Sequence, residues 1–265
     1  MKVPRPRLNV IELAMWASLV AVLAYAGGRY RAEVRLRPYL SRGSAELAVF
    51  ENRYGPSHDS RYGEEWMIRD FFHDQRGGVF VDVGANHYKR DSNTFYLETE
   101  RGWSGLAIEP QVKFADGYRR YRPKTTFVPL FVSDAVNTQT TLYVPADDLL
   151  ASADRAAAEE EGGDTTPVVA NTTTLDDILG RSGVARVDFM SIDVELHEPQ
   201  VLKGFSIDRY KPRLVCIEAH PEVRQQILDY FAAHRYVIIG KYLRADSENL
   251  WFKPADPPER TSWVR

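Results

Sequence analysis

Asp82, Gly84, Ala85 and Asn86 stand directly behind a short apolar run, in VFVDVGAN. A run of this length closed by glycine reads as a buried parallel strand entering a tight turn. Gly84 lets backbone approach a ligand closely, and Asp82 can accept a hydrogen bond from a ligand ammonium. Glu109 ends the next such run, in GWSGLAIEP, where a carboxylate can accept both hydroxyl hydrogens of a ribose. Ser133 and Asp134 follow a third run and suit the adenine end of the same ligand, or form an Asx turn. The third glycine of G-x-G-x-x-G is missing, which disfavours a dinucleotide pyrophosphate.

Two later runs end in groups that can handle protons. Asp193 and Glu195 close SIDVE, and Glu218 and His220 close VCIEAH. An imidazole titrates near neutral pH, so His220 is the candidate general base, with Asp193 and Glu218 completing the catalytic set. The same three residues, Asp193, Glu218 and His220, alternatively form a hard-oxygen and imidazole set for a divalent cation. A third option has Asp193 and Glu195 contacting the ligand or capping the following helix. Tyr62, Glu64 and Glu65, at the head of an amphipathic stretch, either cover the ligand or cap their own helix.

Positioning these groups at the ends of successive strands requires alternating strands and helices. Gly63 to Asp74 has helical apolar spacing, and the run Val79 to Val83 is followed by a helix capped at Ser92. Gly105 to Ile108, Thr126 to Val132, Val187 to Ile192 and Leu214 to Ile217 predict further strands. Val112 to Tyr121, Thr174 to Leu179, Glu198 to Phe205 and a repeat at Val223, Ile227 and Phe231 predict helices. Gln139 to Val144 predicts a β excursion, and Tyr236 to Ile239 and Leu250 to Phe252 two closing strands. The Ala-, Glu- and Gly-rich stretch from Asp147 to Asp164 predicts a flexible insertion, read as surface loop with a helical lid as the alternative. The result is an α/β fold with a mainly parallel sheet and helices on both faces.

The ordered set VFVDVGANHYKRDSNTFYLE, GWSGLAIEP, TTLDDIL, VDFMSIDVELHEPQVLKGF and RLVCIEAH resembles the FkbM-type methyltransferases over roughly Tyr62 to His220. That resemblance implies a Rossmann-like class I methyltransferase sheet, S-adenosylmethionine as cofactor and O-methylation of a hydroxyl, often on sugars, lipids or polyketides. Asp82, Gly84, Ala85, Asn86, Glu109 and Asp134 are then the expected cofactor-binding positions. Many relatives carry glycine after DVE, whereas this chain has Leu196 and then His197, which narrows the acceptor pocket or adds a base to it. A non-catalytic methyltransferase-like binding module is the competing reading.

Composition sets the context. The 265 residues, 44% hydrophobic, suffice for one core and an appendage. Residues 1–42 hold eight Lys and Arg against two Asp and Glu, while the remainder holds 26 against 35. An acidic domain behind a basic leader argues against nucleic acid as a partner. The single cysteine, Cys216, excludes an intrachain disulfide and reads as a buried strand residue. Val10 to Ala26 is an apolar run with one charge, Glu12, about 26 Å long as a helix. With more arginines behind it than in front, it predicts a single-pass membrane anchor with a cytoplasmic domain. A cleaved signal peptide and export is the alternative, since Ala24-Tyr25-Ala26 fits a cleavage pattern. The expected organisation is an anchor at 1–27, a basic linker at 28–60, a methyltransferase domain at 61–256 with an insertion at 146–166, and a tail at 257–265. The expected acceptor is a small-molecule, glycan or lipid-linked hydroxyl at the membrane, with the oligomeric state open.

Overall fold

A computed structural model describes residues 45–57 and 59–255. Behind a helical stretch at 45–54, helix α1 (Glu64–Phe72) precedes β1 (Val79–Val83), α2 (Phe95–Arg101), β2 (Ser104–Ile108), α3 (Ala115–Tyr121) and β3 (Thr125–Val128). There follow β4 (Phe131–Val132), β5 (Gln139–Val144), α4 (Arg155–Gly162) and β6 (Thr166–Thr173). The chain then runs through α5 (Leu175–Ser182), β7 (Phe189–Ile192), α6 (Glu198–Lys203), α7 (Ile207–Tyr210), β8 (Leu214–Glu218), α8 (Arg224–Ala233), β9 (Tyr236–Ile238) and β10 (Asn249–Pro254).

Seven strands form one sheet in the order β3-β2-β1-β7-β8-β10-β9. The pairs β1–β2, β2–β3, β1–β7 and β7–β8 are parallel, and β10 lies antiparallel between β8 and β9. Strand order reverses between β1 and β7, so the crevice beyond their carboxyl ends is where such a sheet binds ligands. Alternation along the strands shows that both faces are covered. Leu214 and Cys216 pack with Met67 and Ile68 of α1 and with Trp251. Val215 and Ile217 pack on the opposite face with Leu175 and Ile178 of α5 and Phe231 of α8. Each fully buried side chain of this kind contributes about 1.5–3 kcal/mol of transfer free energy.

The expected strand Thr126 to Val132 is divided. Pro129 has no N–H to continue a ladder, and the Leu130 N–H instead donates to Val128 O at 2.9 Å. Beyond it, β4 leaves the main sheet and joins a small one in the order β4-β6-β5. The stretch read as surface loop holds a 3-10 turn (Asp148–Leu150) and α4. Helix α4 offers no broad apolar stripe; it is started by Asp154, whose Oδ1 accepts from Ala156 N and Ala157 N at 2.9 and 3.2 Å, a capping arrangement typically worth about 1 kcal/mol.

The membrane expectation is corrected. Among the described residues no helix is long and apolar enough to cross a membrane. The single-pass architecture, the membrane partner and the membrane localisation therefore have no spanning helix behind them, and the lipid-linked acceptor that rested on them goes with them. Val10 to Ala26, the supposed cleavage site, most of the 28–60 linker and the 257–265 tail lie outside the described residues.

Candidate functional site

The turn after β1 is shaped by Gly84, at φ 80°. A Cβ there would stand 1.7 Å from the carbonyl oxygen of Asp193, so glycine is needed for the ends of β1 and β7 to close against each other. The close approach it permits is thus first of all to the protein's own backbone. Asn86 follows at φ 42°. Its N–H donates to Glu109 Oε2 at 3.1 Å, while Glu109 Oε1 accepts from Gln111 N at 2.8 Å. Glu109 is thereby fixed at the end of β2. Burial pushes its carboxyl up to about 7, against the lowering effect of those two N–H groups. Asp82 accepts from Thr94 Oγ1 at 2.7 Å, and burial raises it to about 6.

A cleft of about 200 Å³ opens beyond these strand ends, lined by Asp82, Gly84, Ala85, Asn86, Asp193, Glu218 and His220, with Tyr62 and Glu64 at its rim. A narrower recess of about 60 Å³ continues past Glu109 to Leu130, Phe131 and Val132. Five of the six expected cofactor positions line these two spaces. Asp134 does not; it is exposed, and its neighbour Ser133 engages His197 Nε2 at 3.1 Å. His197, packed edge-on against Phe131 and lowered mainly by burial, therefore adds no base to the cleft, whereas Leu196 does face a cavity. Glu64 lines the cleft and accepts from Tyr62 N at 2.7 Å, whereas its helix carries no side-chain cap at the N-terminus. Glu65 lies buried against Arg69 instead.

Asp148 and its neighbours are functional candidates that sequence reasoning missed. The Asp148 carbonyl accepts from Asn86 Nδ2 at 3.0 Å and Gln111 Nε2 at 3.3 Å. Its carboxylate pairs with Arg90 at 2.8 Å and Lys113 at 2.6 Å, which holds it below the usual carboxylate range despite partial burial. The 3-10 turn is thus strapped across the loops behind β1 and β2, and Leu149 faces both cleft and recess. Only the acid-amide-cation composition of 86–113 and 148 could have hinted at it.

At the far end of the cleft, His220 Nε2 lies 3.2 Å from Glu218 Oε1 and 3.6 Å from Glu195 Oε2. Burial, followed by the like charge of Asp193, raises Glu218 far above the carboxylate range; Asp193 is itself raised by burial. One proton held between adjacent carboxyls is the usual outcome of such crowding. The ligand atoms of Glu195, Glu218 and His220 all lie within 4.8 Å of one another. A divalent cation would accordingly find Glu195, rather than the expected Asp193, as its third partner.

With this geometry in hand, the sequence model of the methyltransferase FkbM domain matches residues 82–238, more than half of the chain. The chain belongs to the FkbM methyltransferase family. It is an S-adenosylmethionine-dependent methyltransferase, and the non-catalytic alternative is set aside. A search of curated proteins found no match. Among solved structures, similarity extends to a 1,6-didemethyltoxoflavin-N1-methyltransferase of Burkholderia thailandensis, bound to 1,6-didemethyltoxoflavin and S-adenosylhomocysteine. The two share 13% identity over 96% of this chain and 94% of that one, with a TM-score of 0.38. A precorrin-6y C5,15-methyltransferase of Geobacter metallireducens is 13% identical over 66% of this chain and 71% of that one, with a TM-score of 0.36. Neither likeness adds to the assignment.

The residues of the cleft fit the cofactor by their own chemistry. The buried side-chain oxygens Asn86 Oδ1 and Asn93 Oδ1 have no hydrogen-bond partner, although groups so placed almost always have one. Both residues line the cleft, where the carboxyls of Asp82, Asp193 and Glu64, each raised mainly by burial, would be drawn to their charged forms by a ligand ammonium.

Proposed function

We propose that this methyltransferase O-methylates a hydroxyl of a small-molecule or glycan acceptor, with His220 as the general base. The observation that carries this reading is His220 Nε2. It is shielded from solvent and faces Glu218 Oε1 at 3.2 Å and Glu195 Oε2 at 3.6 Å without a well-formed hydrogen bond to either, on a residue that lines the cleft. S-adenosylmethionine, when bound, supplies an electrophilic methyl carbon and departs as a neutral thioether. Glu109 would hold the ribose hydroxyls, and Asp82 with Asn86 the amino-acid end or its water. An acceptor hydroxyl set against Nε2 would pass its proton to the imidazole as the oxygen loses electron density to the methyl group. Glu195, 3.6 Å away, would stabilise the imidazolium so formed.

The experiment is methyl transfer from labelled S-adenosylmethionine to a hydroxylated glycan library, with products read by mass spectrometry. His220→Ala is expected to lower the rate by about 10²–10⁴-fold with little change in affinity for S-adenosylhomocysteine. A rate within about twofold of wild type would remove His220 from the chemistry. The cluster of Glu195, Glu218 and His220 supports a second reading, in which a divalent cation binds and acidifies the acceptor oxygen.

A further inference from the structure

A second cavity, of about 150 Å³, lies beside the cleft and shares Leu150, Glu195 and His220 with it. The rest of its wall comes from two places: the segment from Ser152 through α4 supplies Ser152, Ala158 and Glu160, and the loops behind β7 and β8 supply Leu196 and Glu222. Ser152 Oγ donates to Glu195 O at 2.7 Å and fastens the two halves together. His220 and Glu195 thus face both the cleft and this cavity. A hydroxyl seated at this shared wall lies against the imidazole that would take its proton.

Two features define what fits. Among the described residues the charged lining consists of Glu160, Glu195 and Glu222, and His220 is the only basic side chain there. Leu196 is held at φ 75° directly after Glu195 at φ 51°. Two successive side-chain-bearing residues in the left-handed region cost about 1–2 kcal/mol each. Glycine would avoid that cost at 196, yet the position carries an isobutyl group that fills part of the cavity wall.

We propose that this cavity is the acceptor subsite, that it takes a small hydroxyl compound bearing an ammonium group, and that Leu196 sets its size limit. The inference rests on the O-methylation reading and names its substrate class. Negative potential from three carboxylates attracts the ammonium and repels phosphate or carboxylate acceptors.

The test uses the full chain saturated with S-adenosylhomocysteine and three matched probes: 2-amino-2-deoxyglucose, glucose and glucuronic acid, their binding followed by ligand-observed NMR. The amine is expected to bind about tenfold tighter than glucose, the order that screened charge pairs near 5 Å supply, and glucuronic acid most weakly. The double variant Glu160→Gln with Glu222→Gln is expected to bring the amine to the level of glucose. Leu196→Gly is expected to admit the benzyl glycoside of the amine, which the wild-type chain rejects. An amine that binds no tighter than glucose, a preference that survives the double variant, or no saturable binding of the amine overturns the charge assignment. Equal binding of the benzyl glycoside by both chains overturns the role of Leu196. Because these readouts are binding and the test of His220 is a transfer rate, the subsite and the base assignment fail separately.

Discussion

Glu109→Gln isolates one carboxylate by a change of a single atom. In the wild-type chain both Glu109 oxygens accept backbone N–H groups, from Gln111 at 2.8 Å and Asn86 at 3.1 Å. An amide has only one oxygen, so one of these buried donors meets an NH₂ group and loses its acceptor. Leaving a buried donor unpaired costs about 1–3 kcal/mol, which urea titration of the free chain would register. Binding suffers separately: a ribose diol can donate twice to a carboxylate and only once to the amide. Losing one hydrogen bond to a charged acceptor costs about 1.5–3 kcal/mol, or roughly ten- to a hundredfold in affinity. The assay is titration calorimetry with S-adenosylhomocysteine across neutral pH. Since Glu109 titrates at about 7 in the free protein and binds as the carboxylate, wild-type affinity should fall by up to about one decade per pH unit below that point. The Gln variant lacks this component, so the difference between the two curves belongs to Glu109. Stability runs the other way. A carboxyl raised from 4.5 to about 7 on folding contributes stability that is present below about pH 4.5 and lost as pH rises through 7. A Gln variant within about twofold of wild type in affinity above pH 7 would show that Glu109 holds no ribose.

Gly84→Ala should destabilise the fold by more than ~2 kcal/mol, because it adds left-handed strain to a Cβ placed 1.7 Å from Asp193 O; a urea midpoint close to wild type would contradict the packing of β1 against β7. If Glu195, Glu218 and His220 hold a cation, chelation should abolish transfer and Mg²⁺ or Mn²⁺ should restore it, with Glu195→Gln weakening metal binding in calorimetry. Transfer that persists within about twofold under chelation would leave the imidazole to act without metal.

The strand-end chemistry was legible because it depends on local signals. The apolar run, glycine and acid of VFVDVGAN predict a buried strand and turn from the residues alone, and the same holds for Glu109 behind β2. The helix starting at Thr174 was equally visible, and the Thr174 hydroxyl caps it by accepting from Asp177 N at 3.2 Å. What failed depends on distant partners. Asp134 follows a strand that leaves the main sheet at Pro129, so its position behind an apolar run does not place it at the crevice. Helix α4 stood only as the alternative to a surface loop, because Ala and Glu without a periodic apolar face look like solvated loop. The strap through Asp148 joins residues 62 positions apart, which no local pattern encodes. Glu195 displaced Asp193 from the candidate cation set because the left-handed turn at 195 and 196 aims its carboxylate towards His220, and the backbone angle is not written in the residue type. The membrane expectation rested on a segment outside the described residues.

The placement of β10 bears on how the enzyme is made. The strand inserts antiparallel between β8 and β9, pairing Asn249 with Glu218, and Ala219 N donates to Glu248 O at 3.1 Å. Glu248 and Asn249 both line the cleft. A chain still on the ribosome with residues 249–254 unsynthesised has β8 as an open edge, and nothing yet fixes the backbone between Glu218 and His220. If the cleft holds S-adenosylmethionine as proposed above, it is completed only once β10, which follows the nine other described strands, has been made, and the nascent chain gains no stabilisation from the cofactor while most of its sheet is forming. Cofactor supply should consequently affect the lifetime of the finished enzyme rather than the yield of its folding.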